Sequence, residues 1–85
     1  MVTIAQIKAA RGLLDWSQPR LANAAGLSEV TVKRFEAHVG SVSQDAISRM
    51  RVALEAAGVE FTNGNQSGVR LARIQDRERT GKDFI

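Results

Sequence analysis

The chain has 85 residues, 44% of them hydrophobic, with 12 Lys plus Arg against 9 Asp plus Glu and a net charge of +3. That is enough apolar content for one small folded domain and too much for a disordered chain, and the mild basic excess permits an anionic partner without requiring one. With no cysteine and a single histidine, His38, there is no disulfide, no cysteine-ligated zinc and no histidine-based metal site.

No apolar run is long enough to span a bilayer. The N-terminal stretch from Met1 to Gly12 lacks a basic start followed by an apolar core, so it does not read as a secretory signal. Asn65-Gln66-Ser67 matches a glycosylation acceptor by spelling only. A cytoplasmic location is the expectation, and no cofactor or membrane partner is implied.

Thr3 and Gln6 have the spacing of a capping box and open a first helix over 4–14. Ile4, Ile7 and Leu14 fall on one face, with Ala9 and Ala10 filling between, and Gly12 weakens the helix near its end. Ser17 is an N-cap, and Pro19 sits in the next turn, where a missing N–H costs nothing. A second helix follows over 18–25, with Leu21, Ala22 and Ala25 on its apolar side. Gly26 comes next. Glycine costs about 1 kcal/mol in a helix interior but suits the left-handed position at a helix end. Ser28 caps a third helix over 29–37, and Leu27 and Val32 have the spacing of a hydrophobic staple.

"HVGSVS" reads as a loop, and Ser43 caps a fourth helix that Gly58 ends. Ile47, Met50, Leu54 and Ala57 form its stripe. Val52 and Ala56 lie off the stripe and are left for the hairpin or a second subunit. The period then changes to two. Val59–Phe61 and Val69–Leu71 alternate, with the turn formers "TNGNQSG" between them, which predicts a hairpin with a long loop. A hairpin alone is marginal in water, so it must pack on the helices or pair with another chain. From Arg73 onward the sequence is a charged tail. The expectation is a mostly α fold: four compact helices over 1–58, a β-hairpin over 59–72 and a tail over 73–85.

Two short helices joined at Gly26 make a helix-turn-helix. Ala22, four residues earlier, falls where the helices cross closely. At 100° per residue, Val32 and Phe35 face inward on the third helix with Thr31 beside them. Val30, Lys33, Arg34 and Ala37 face outward, with Glu29 on the flank. Such a face suits the major groove of DNA. Arg34 has the geometry to pair with guanine, Lys33 to reach guanine or phosphate, Glu29 to accept from a cytosine amino group, and Val30 to pack on a thymine methyl.

From Gln6 to about Leu54 the chain resembles the Cro/lambda-repressor type of helix-turn-helix regulators, the xenobiotic-response-element family. The matching residues are R-x-x-x-x-W-S-Q (Arg11, Trp16, Ser17, Gln18), L-A-x-x-A-G-L-S (Leu21 to Ser28) and T-V-x-R-x-E (Thr31 to Glu36). The resemblance implies a lambda-repressor-like domain that binds double-stranded DNA. Gln18 matches a residue that contacts phosphate and braces the third helix. Glu29, Val30, Lys33 and Arg34 match base-reading positions. Arg11 and Glu36 match a salt bridge behind the recognition helix. Ser28, Thr31 and His38 are further phosphate candidates.

The family often has glycine where this chain has His38, and proline where it has Val42 or Gln44. His38 is expected to adopt a left-handed conformation, for which histidine is enriched. "GVEFTNGNQSGVRL" resembles the C-terminal extension of many short bacterial members. The function implied is a transcriptional repressor or autoregulator that binds a palindromic operator as a homodimer, with half-sites about one helical turn apart. The alternatives are a DNA-binding antitoxin that neutralises a toxin protein, or a protein-interaction module that keeps the fold without DNA binding, such as an antiactivator. An enzyme lacks support: there is no phosphate-binding glycine motif and no nucleophile–base pair. Trp16 reads as core. Arg49 and Arg51 read equally as a solvated face or as phosphate ligands.

Overall fold

The computed structural model describes residues 2–62 and 68–71. In chain order it contains α1 (Ile4–Leu14), α2 (Gln18–Ala25), α3 (Glu29–Ala37), α4 (Gln44–Ala56), β1 (Val59–Thr62) and β2 (Gly68–Leu71). Local chemistry sets the helix starts. The Thr3 hydroxyl accepts from the Gln6 N–H, and the Gln6 side-chain oxygen accepts from the Thr3 N–H, closing the capping box. The hydroxyls of Ser17, Ser28 and Ser43 accept from the N–H groups of Arg20, Thr31 and Ala46.

Three of the helices stop in the same way. Asp15, Gly26 and His38 take left-handed φ values of 57°, 69° and 59°. The N–H of the following residue then reaches back five positions: Trp16 to the Arg11 carbonyl, Leu27 to Ala22, and Val39 to Arg34. This is the Schellman closure, and it satisfies carbonyls that the helix end leaves open. The Asp15 turn is a feature the sequence reading did not anticipate.

The core gathers Ile7, Leu21, Val32, Met50, Leu54 and Val59, all almost fully buried. α2 packs on α3 and α4, while α1 packs on α3, α4 and β2. Some details differ from the periodicity. Ala9 is exposed, whereas Ala10 and the polar Gln6 are buried on the inner side of α1. Ala46 joins the core ahead of the α4 stripe. Trp16 is half-buried at the edge of the core, with the Arg20 guanidinium over its ring, 4.8 Å from the centroid. Val52 remains 58% exposed, so the hairpin does not cover it.

The hairpin strands each run one residue longer than their alternation indicated. They pair antiparallel, with Val59 opposite Leu71 and Phe61 opposite Val69. These four residues pack against the core, and Glu60 and Arg70 form an ion pair of 2.8 Å on the other face. The amide nitrogen of Gln6 donates to the carbonyls of Thr62 and Gly68, at 2.9 and 3.0 Å. A side chain of α1 therefore holds the end of β1 and the start of β2. No helix among the described residues is long and apolar enough to cross a membrane. Asn65 and the charged tail lie outside the described residues.

Candidate nucleic-acid interface

α3 buries Val32, Phe35 and Glu36 and exposes Glu29, Val30, Lys33, Arg34 and Ala37. The division follows from helical geometry, since positions three and four apart share a face. Val30, at the middle of the outer face, is 56% exposed. Lys33 Nζ and Glu29 Oε2 stand 3.0 Å apart, one helical turn from each other. Arg34 makes no ion pair among the described residues. It lines an open groove of about 460 Å³ with Gly26, Thr31, Ser43 and Arg49. The outer face thus offers one guanidinium without an ion pair among the described residues, one self-paired donor and acceptor, and two small apolar groups, Val30 and Ala37.

The inner side of α3 is braced by charge. The Arg11 guanidinium grips the Glu36 carboxylate, and the Gln18 amide donates to the same carboxylate at 3.0 Å. Burial alone pushes the Glu36 carboxyl up. The hydrogen bonds from Arg11 and Gln18, with the nearby charges of Arg11 and Lys8, outweigh burial and hold it below the usual carboxylate range. The hydrogen bond to Glu36 likewise holds the Arg11 guanidinium above its ordinary value despite its own partial burial. Gln18 therefore joins the first turn of α2 to the back of α3.

The other sequence candidates fall around this frame. The hydroxyls of Ser28 and Thr31 are 3.0 Å apart and hydrogen-bonded, with Ser28 also capping α3. His38 is exposed at the end of α3. Ala22 is buried where α2 meets its neighbours. A Cβ on Gly26 would lie 3.6 Å from the Arg49 side chain, an ordinary contact, so glycine is needed there for its φ and not for space. Arg49 and Arg51 pair within α4 with Asp45 and Glu55, at 2.9 and 3.0 Å.

The Arg20–Trp16 stack was not read from the sequence, although the two residues are four apart across the Ser17 cap. Among the described residues no group of three His, Cys, Asp or Glu side chains is placed to hold a metal ion. No protein-family model matches the chain, and no curated protein matches it.

Proposed function

We propose that the chain is a sequence-specific double-stranded DNA-binding regulator of transcription with a lambda-repressor-like helical domain, and that α3 enters the major groove. One observation carries the reading: a short helix exposes Val30 and Arg34, the latter without an ion pair among the described residues, on one face while the Arg11–Glu36–Gln18 network fixes its other face. A helix held this firmly presents its outer side chains at a defined angle, which reading of base edges requires. Arg34 donates to guanine, Val30 packs on a thymine methyl, and Glu29 and Lys33 complete the reading face. Ser28, Thr31 and His38 border that face, where backbone phosphates pass, and Gln18, in the first turn of α2, is the fourth phosphate ligand. Binding as a homodimer to a two-fold symmetric site, and repression of the promoter so occupied, complete the proposal. A cytoplasmic location goes with it.

Selection of bound duplexes from random DNA tests this reading. The expected product is a symmetric motif with half-site centres about 10 base pairs apart. Recovery of no enriched motif would reject it.

A further inference from the structure

We infer that Glu29 and Lys33 act as a single reading unit that selects one C·G base pair in one orientation. The inference rests on the DNA-binding reading and adds to it the identity of a base pair. Its basis is a distance match. In a C·G pair the cytosine N4 amino group donates to guanine O6, so the major-groove edge sets a donor and an acceptor about 2.9–3.0 Å apart. Glu29 Oε2 and Lys33 Nζ set an acceptor and a donor 3.0 Å apart. Placed over the pair, the carboxylate accepts the second N4 hydrogen and the ammonium donates to O6. The protein's own ion pair is kept while both new bonds form.

The other base pairs fit less well. Reversal to G·C sets the carboxylate against O6 and N7, both acceptors, and the ammonium against an amino group. An A·T pair also offers a donor beside an acceptor, through adenine N6 and thymine O4. There the carboxylate meets the adenine N7 lone pair, and the ammonium meets the thymine methyl in place of a second acceptor. In C·G the carboxylate sees only the amino group and a C–H, and the ammonium sees O6 and N7 together. The exposed pair contributes little to folding, which leaves its side chains available for this use. Because the unit is neutral overall, it adds specificity without adding a phosphate contact.

The test uses the full chain, the duplex it selects, and that duplex substituted one base pair at a time, with binding followed by fluorescence anisotropy. The variants are Glu29→Gln, Lys33→Met and the double change, each checked by thermal melting. The wild type is expected to prefer C·G at one position by about five- to 150-fold. Each single variant is expected to lose that preference at the same position, and the double variant to lose no more than either single. The double variant should also keep the wild-type slope of affinity against salt. Loss at two different positions, loss at none, or a double-variant slope smaller by about 0.9 would overturn the inference, the last by placing Lys33 on a phosphate. These results leave wild-type selection intact. A wild type that selects no motif overturns the DNA-binding reading and this inference together.

Discussion

Arg11 meets the Glu36 carboxylate with two parallel hydrogen bonds, Nε to Oε2 at 2.8 Å and Nη2 to Oε1 at 2.7 Å, while its Nη1 donates to the Trp16 carbonyl at 2.9 Å. One side chain thus ties the end of α1, the approach to α2 and the inner face of α3. The Glu36 side chain is only 4% exposed. Replacing Arg11 leaves a buried carboxylate with Gln18 as its remaining side-chain donor among the described residues. Arg11→Met is expected to destabilise the fold by about 3 kcal/mol, the low end for breaking a buried pair, because Arg11 keeps some solvent contact. Urea unfolding followed by circular dichroism measures it. A loss below about 1 kcal/mol would mean the pair behaves as a surface bridge.

The same carboxylate sets an acid limit. Its folded-state pKa lies below the unfolded value of about 4.3, so the folded state favours the charged form. The stability it contributes is complete above the unfolded pKa and is lost as pH falls through the folded one. Wild-type stability is therefore expected to drop as pH is lowered below about 4.3. Glu36→Gln, which has no proton to gain, should be less stable at neutral pH and show a shallower acid decline. Thermal melts from pH 7 downward separate the two, and parallel curves would show that Glu36 is not the linked group.

The left-handed positions make opposite predictions for two substitutions. At His38 an L side chain occupies a φ that glycine takes freely, so His38→Gly is expected to stabilise by about 0.5–1 kcal/mol after the extra freedom of the unfolded chain is deducted. At Gly26 the space is adequate and only the torsion resists, so Gly26→Ala is expected to destabilise by about 1–2 kcal/mol. Differential scanning calorimetry on the pair gives both signs. A stabilised Gly26→Ala would contradict the turn geometry.

The helices were legible because their limits are set by short-range chemistry. Thr3, Ser17, Ser28 and Ser43 each cap an N–H three positions away, and Gly26 marks a stop that few other residues make as easily. The outer and inner faces of α3 were legible from its period. The Asp15 stop was hidden, since aspartate serves in many other roles. The bonds from Gln6 to Thr62 and Gly68 span 56 and 62 positions, and no local pattern encodes them. The resemblance assigned Arg11 and Glu36 to one another. The helical period assigns Glu29 to a cytosine and Lys33 to guanine or phosphate separately, and their mutual contact emerges only from side-chain placement.

The proposal that the outer face of α3 receives the duplex is tested most directly at Val30, which is central on that face and plays no part in the core. Val30→Asp places a carboxylate there, in the first turn of a helix, where a negative charge suits folding. The expected result is an unchanged melting temperature together with a loss of about tenfold or more in affinity for duplex DNA at low salt, measured by fluorescence anisotropy. Wild-type affinity retained by a folded Val30→Asp protein would show that the duplex, if bound at all, meets another surface.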